Sequence, residues 1–337
     1  MVRLSRFRSD TGAAAPAGVT EGPTIDLRRT PPPAERERGS PVIEVRGLVK
    51  RYGDHTAVGG IDLEVFAGEI FALLGPNGAG KTTTLEMLEG YRNRDGGSVT
   101  VLGADPEHAT LAWRSRIGLV LQTSQMPSEL TVFELVDRYA GYYPHPRNVD
   151  DTIELVGLAD KRNARAGRLS GGQQRRLDVA LALVGDPELV FLDEPTTGFD
   201  PAARRAAWSM IDNLRGLGKT VLLTTHYMEE AEALADRIAI LVRGRIGAEG
   251  TPRTIGGRET APAQIRFIAP SAFDPSILSS GEISHDDAYL VITSAEPTVT
   301  VGELVDWARA AGQELSGLEI RRPSLEDVYL KLAGQPS

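Results

Sequence analysis

Apolar and polar positions begin to alternate at Val42. Val42-Ile43-Glu44-Val45-Arg46 and Ile61-Asp62-Leu63-Glu64-Val65 repeat with period two, as half-exposed strands do. Glu69 to Leu74 is a short apolar run leading into a glycine-rich turn, and Ser98 to Leu102 forms another strand candidate. From about Asp105 to Gly185 the spacing turns mostly helical, apart from a strand at Ile117 to Leu121. Apolar runs at Leu189 to Leu192, Thr220 to Leu223 and Ile238 to Val242 read as buried strands separated by helical stretches. Such alternation predicts an α/β core.

Both ends depart from this pattern. Residues 1–40 are rich in Pro, Ala, Gly and Arg, contain Pro31-Pro32-Pro33 and lack hydrophobic periodicity, which predicts a disordered tail. Past Gly250, the residues Gly256, Gly257, Pro262 and Pro270 mark a boundary. Strand candidates at Gln264 to Ile268, Tyr289 to Thr293 and Leu318 to Arg322 follow, with helix candidates at Val301 to Ala311 and Leu325 to Leu332. The expected organisation is a tail (1–40), a large α/β domain (41–254) with a helical subdomain over about 105–185, and a small α+β domain (255–337).

Composition narrows the chemistry. The net charge of −9 disfavours a sequence-independent grip on nucleic acid. With no cysteine, disulfides, thiolate catalysis and zinc–sulfur sites are excluded. The histidines (His55, His108, His145, His226, His285) include no pair at metal-ligand spacing. No apolar run approaches the roughly 18 residues of a membrane span; Ala180 to Leu192 is broken by Asp186 and Pro187, and the N-terminus lacks the apolar segment of a secretory signal. Work at a membrane is therefore expected from its cytoplasmic side, through a partner.

Three segments carry candidate chemistry. Gly75-Pro76-Asn77-Gly78-Ala79-Gly80-Lys81-Thr82 fits G-x-x-x-x-G-K-[ST] after a strand and before a helix predicted from Thr83 to Glu89. In that setting backbone N–H groups turn inward around a polyphosphate, Lys81 reaches its outer phosphates and the Thr82 hydroxyl can ligate Mg²⁺. By itself this loop does not separate kinases, GTPases and motors. Leu169-Ser170-Gly171-Gly172-Gln173 precedes a helix predicted from Gln174 to Val184, a second anion-binding terminus. A single chain with two anion sites is explained if paired chains, head to tail, clamp the same nucleotide from opposite sides. The strand Leu189-Val190-Phe191-Leu192 ends in Asp193-Glu194, with Asp193 suited to the Mg²⁺ shell and Glu194 placed to polarise an attacking water.

Together these segments resemble the ATP-binding cassette family, whose signature is Leu-Ser-Gly-Gly-Gln lying between the two Walker motifs. The resemblance runs from about Val42 to Gly250. It implies an antiparallel β subdomain and a helical subdomain on the P-loop core, ATP and Mg²⁺ as cofactors, ATP hydrolysis coupled to transport, and an ATP-dependent homodimer. It further implies that Tyr52 stacks on adenine, that Gln122 contacts Mg²⁺ and senses a permease, that Asp200 communicates across the dimer and that His226, 32 residues after Glu194, contacts the γ-phosphate. Phe199 stands where the family more often has leucine.

The chain carries one cassette and no sustained heptads, so the family's translation-linked and chromosome-structuring branches fit poorly. Arg322-Pro323-Ser324-Leu325-Glu326-Asp327-Val328-Tyr329-Leu330 and Thr225-His226-Tyr227-Met228-Glu229-Glu230-Ala231 resemble drug-resistance exporter ATPases of the daunorubicin subgroup. The expectation is a bacterial ATPase subunit held at the inner face of the cell membrane by a separately encoded transmembrane permease, with no nucleic acid partner. A soluble regulatory or assembly ATPase not coupled to transport is the alternative.

Overall fold

The computed structural model describes residues 40–121, 126–270 and 273–334. Gln122 and all but Ser40 of the tail expected over 1–40 lie outside the described residues. The chain divides into two compact units, with the division between Pro252 and Arg253.

In the first unit a hairpin of β1 (Pro41–Tyr52) and β2 (His55–Phe66) closes at Tyr52 and His55. These strands are longer than the stretches that alternate in sequence. Register shifts between Val45 and Leu48, and again between Lys50 and Arg51, interrupt the period of two while the ladder continues. β3 (Ile70–Leu74) is buried throughout and runs into α1 (Lys81–Leu88), which starts two residues before the expected Thr83 because the turn of Gly80 already closes the first helical ring. β4 (Gly96–Val101) pairs with β1 to complete an antiparallel sheet of order β2-β1-β4.

The stretch expected to be mostly helical contains α2 (Leu111–Arg114), β5 (Ile117–Val120), α3 (Val132–Ala140), α4 (Val149–Leu155) and α5 (Gly171–Leu183). Side-chain caps define most of these starts. Thr131 and Glu134 form a reciprocal capping box on α3, and Asn148 accepts from the first N–H groups of α4. Then follow β6 (Leu189–Asp193), α6 (Pro201–Gly216), β7 (Thr220–Thr225), α7 (Met228–Leu234), β8 (Arg237–Val242) and β9 (Arg245–Gly250).

These strands form a sheet of order β5-β6-β7-β3-β8-β9, parallel except for β9. β9 has no counterpart among the expected strands. Its sequence, Arg-Ile-Gly-Ala-Glu-Gly, is polar and glycine-rich, and only the positive-φ turn at Arg243 and Gly244 folds it back onto β8. One core spans both sheets, with Ile43, Val45 and Leu63 from the antiparallel sheet, Phe71, Phe191 and Leu222 from the parallel one, and Leu85 and Leu88 of α1. The sheet order brings the C-terminal ends of β6, β7 and β3 side by side, where ligands of parallel α/β sheets bind.

The second unit contains β10 (Ala263–Phe267), β11 (Glu282–Asp286), β12 (Tyr289–Ser294), α8 (Pro297–Ala311), β13 (Glu319–Arg321) and α9 (Leu325–Ala333). Its antiparallel sheet has the order β11-β12-β10-β13 over a separate core of Ile265, Phe267, Ile292 and Leu304. β11 was not expected either, since only Ile283 in it is apolar and buried. Among the described residues no helix is long and apolar enough to cross a membrane.

Candidate functional site

The phosphate-loop turn is packed on two sides. Gly75 N–H donates to Thr225 O (3.1 Å) and Gly244 N–H donates to Ala79 O (3.0 Å). A Cβ at Gly75 would lie 2.4 Å from Leu241 O, and one at Gly80 2.4 Å from Ala57 O; Gly80 also has φ +104°. Both positions therefore require glycine. Pro76, Asn77 and Gly78 form the outer rim, with Asn77 and Gly78 exposed.

Lys81 is 4% exposed, and its Nζ donates to Gly75 O (2.9 Å) and Pro76 O (3.2 Å). The same ammonium lies 3.1 Å from Glu194 Oε1. One residue on, Thr82 Oγ1 donates to Asp193 Oδ2 (3.2 Å), and Thr83 continues the first turn of α1. Thr82 and Asp193 thus converge as oxygen donors of the type a small hard cation takes.

Glu194 follows β6 with φ +45°, a left-handed conformation that costs a non-glycine residue about 1–3 kcal/mol. Its N–H donates to Thr224 O (3.2 Å) and Thr224 Oγ1 (3.1 Å), which holds the turn. Thr197 Oγ1 donates to Glu194 Oε2 (3.1 Å), and His226 Nδ1 lies 3.3 Å from the same oxygen. Burial pushes the Glu194 carboxyl up, but the Lys81 ammonium and the His226 ring outweigh it, and its pKa falls below the usual carboxylate range. At neutral pH the group is an ionised acceptor.

Lys81, Thr82, Asp193, Glu194 and His226 are therefore brought into one cluster. Tyr52 sits at the end of β1, half-exposed, with the Arg92 guanidinium 5.3 Å from its ring centre; Glu86 of α1 holds Arg92 at 2.5 Å.

The second glycine turn is built differently. Ser170 caps α5, accepting from Gln173 N–H (3.4 Å), while Gln173 Oε1 accepts from Ser170 N–H (3.0 Å). At Gly171 an added Cβ would meet nothing within 4 Å, and at Gly172 only Ala203 Cβ at 3.8 Å. A groove runs between this helix start and the loop after β6, lined by Ser170, Gly171, Glu194, Thr197 and Asp200. Asp200 caps α6, accepting from the N–H groups of Ala202 (2.8 Å) and Ala203 (2.9 Å).

Residue patterns alone missed two members of the cluster. Thr224 bridges its halves, donating its hydroxyl to Asp193 while accepting from Glu194 N–H. Glu230 is fully buried on α7, accepting from Thr196 Oγ1 (2.7 Å) and Trp208 Nε1 (3.0 Å), and so ties the helix after His226 to the loop after Glu194. Thr224 follows the apolar pair Leu222-Leu223 and is a polar residue at the end of an apolar run, whereas Glu230 stands between Glu229 and Glu232 and nothing in the sequence marks it out.

Fold and site together define a P-loop nucleoside triphosphatase. A family model described as "ABC transporter" matches residues 58–197, and one described as "ABC transporter domain-containing protein-like, C-terminal domain" matches residues 263–324. The chain is 39% identical over 308 residues to the Nod factor export ATP-binding protein I of Burkholderia lata, covering 87% of this chain and 97% of that one. It is 40% identical over 305 residues to the protein of the same name from Rhizobium johnstonii, covering 88% and 96%. Among solved structures, cbiO1 of Clostridium perfringens, part of the ABC transporter complex cbiONQ, superposes with a TM-score of 0.60 at 25% identity, over 66% of this chain and 92% of that one. The chain belongs to the ATP-binding cassette transporter family, as one of its ATPases.

Proposed function

We propose that copies of this chain close head to tail in pairs around ATP, and that closure drives a permease carried on a separate polypeptide. The observation that supports pairing is the contrast between the glycine turns. Gly75 and Gly80 are demanded by their own chain's packing, whereas Gly171 is not. A glycine is a poor helix former, so its place in the first turn of α5 calls for close approach from outside, which a nucleotide held by the P-loop of a second chain supplies.

In this mechanism residues 75–83 of one chain hold the triphosphate and Ser170, Gly171, Gly172 and Gln173 of the other cover its γ end. Lys81 places positive charge on the outer phosphates. Ionised Glu194 orients a water for in-line attack and accepts its proton, while His226 stabilises charge developing on the γ-phosphate. Thr82 and Asp193, with Gln122, are the residues to hold Mg²⁺, which when bound neutralises charge on the β and γ oxygens. Tyr52 stacks on adenine, and Asp200, beside the groove, links the paired sites.

Transport is read as outward. The name shared by the relatives refers to export, and the segment Arg322 to Leu330 resembles drug-resistance exporter ATPases. The chain then works at the inner face of the cell membrane, and the permease holds the substrate pocket. Affinity purification from detergent-solubilised native membranes, with mass spectrometry, tests this. A stoichiometric multi-span protein is the expected companion. Recovery of soluble partners alone, with the chain absent from membranes, would replace transport with a regulatory or assembly role.

A further inference from the structure

We propose that Arg175 is a positioning residue that locks the helix bearing Ser170 and Gly171 to the strand end bearing Asp193 and Glu194. The face a chain offers to its partner's nucleotide is thereby coupled to its own catalytic centre. The inference rests on the paired-chain reading above.

Arg175 lies on the second turn of α5 and is 9% exposed. Its Nε donates to Pro195 O (3.2 Å), its Nη2 to Asp193 O (2.8 Å) and its Nη1 to Leu121 O. On its own helix, the Asp178 carboxylate lies 3.8 Å away. The three acceptors come from three segments: the end of β6, the loop that runs on to Asp200, and the residue that follows β5 and immediately precedes Gln122. The parallel pairing of β5 with β6 ends at Val120 and Leu192, so Leu121 O and Asp193 O lie beyond that ladder. Buried carbonyls need donors, and the planar guanidinium fork supplies them to all three segments at once, as a lysine's point charge does not.

Filling space does not explain an arginine here. Its guanidinium is buried, and a buried cation carries a desolvation cost that an apolar side chain of similar volume avoids. What an apolar side chain cannot do is join one helix to three carbonyls. None of these bonds involves Lys81 or Thr82, which hold α1 and the phosphate loop by other contacts. Losing Arg175 therefore leaves the Lys81 contacts with the phosphate loop in place, while Ser170 and Gly171 lose their fixed relation to Glu194.

The test compares Glu194→Gln with Glu194→Gln/Arg175→Lys and Glu194→Gln/Arg175→Met. It uses ATP affinity at protein concentrations too low for pairing, thermal unfolding, and ATP-dependent dimerisation by light scattering. Glu194→Gln alone is expected to dimerise with ATP. Both Arg175 variants are expected to keep its single-chain ATP affinity and to dimerise about tenfold more weakly. With Glu194 intact, the same Arg175 variants are expected to lose kcat at unchanged KM.

Arg175→Lys keeps charge and size, and is the deciding variant if Arg175→Met does not fold. Dimerisation of the lysine variant equal to that of Glu194→Gln overturns the role of Arg175 and leaves the paired-chain reading standing. Loss of ATP affinity in step with dimerisation also overturns it, since that marks general structural damage. Failure of Glu194→Gln itself to dimerise overturns the paired-chain reading, and this inference with it.

Discussion

The two glycine turns of the nucleotide-binding unit share residue types and differ in what surrounds them. The turn at residues 75–80 is hemmed by the backbone of β8 and β2, its lysine is buried, and its hydrogen bonds run to neighbouring strands. At residues 170–173 the capping box joins Ser170 and Gln173, Ser170 O accepts from Gln174 N–H of the same helix, and a Cβ at Gly171 would meet nothing within 4 Å. One is completed by its own fold; the other, on the paired-chain proposal, is completed by the nucleotide that a second chain brings. Motif spacing treats them alike; packing distinguishes the turn its own fold demands from the turn the paired-chain proposal assigns to a second chain.

Substitutions in the inward-facing turn should act on the single chain, and the largest effect is expected there. Lys81→Ala removes the ammonium directed at the loop and at Glu194, so turnover is expected to fall by about 10²–10³-fold or more, with nucleotide affinity falling too. Full ATPase activity in a phosphate-release assay would break the assignment. In the outward-facing turn, Gly171→Ala should part stability from activity. Alanine in an unobstructed helical position stabilises by about 0.5–1 kcal/mol, so the melting temperature is expected to hold or rise. On the paired-chain proposal the added methyl meets the partner's nucleotide, so turnover is expected to fall about tenfold while single-chain ATP affinity stays the same. A fall in affinity equal to the fall in turnover would erase the distinction between the turns.

The smallest effect concerns the far end of α1. Glu89 caps that helix, buried, and its pKa is raised to about 8, first by burial and then by the charges of Asp193 and Glu86. Between its ordinary value near 4.5 and about 8, the unfolded chain has released a proton that the folded chain keeps. Stability therefore falls as pH rises through this window, by at most about 1.4 kcal/mol per pH unit. Glu89→Gln is expected to raise the melting temperature at pH 8 by a few degrees more than at pH 5.5. An equal change at both pH values would show that Glu89 titrates normally.

Much of the nucleotide-binding unit was legible because its strands are short and apolar and its turns carry defined chemistry. β3, β6, β7 and β8 read as continuous apolar runs, and Ser170 with Gln173 announces a capping box. Strands were missed where pairing does not depend on an apolar face, as in β9 and β11, and read too short where bulges break alternation, as along β1. Within the site, motif residues announce themselves by spacing. Thr224, Glu230 and Arg175 do not, because they act through backbone and side-chain partners distant in sequence. A buried polar side chain is informative only once its surroundings are known.

The packing of Gly75 against Leu241 and of Gly80 against Ala57 has a calorimetric counterpart. A phosphate cradle already braced by two strands orders few dihedral angles and buries little apolar surface when a nucleotide enters. The heat-capacity change of that step is accordingly small, and its enthalpy nearly independent of temperature. Joining two protein faces removes far more apolar surface from water and carries a large negative heat-capacity change. On the paired-chain proposal, a titration series across temperature is expected to resolve two events in one thermogram, a flat one that belongs to the chain and a steep one that belongs to the pair.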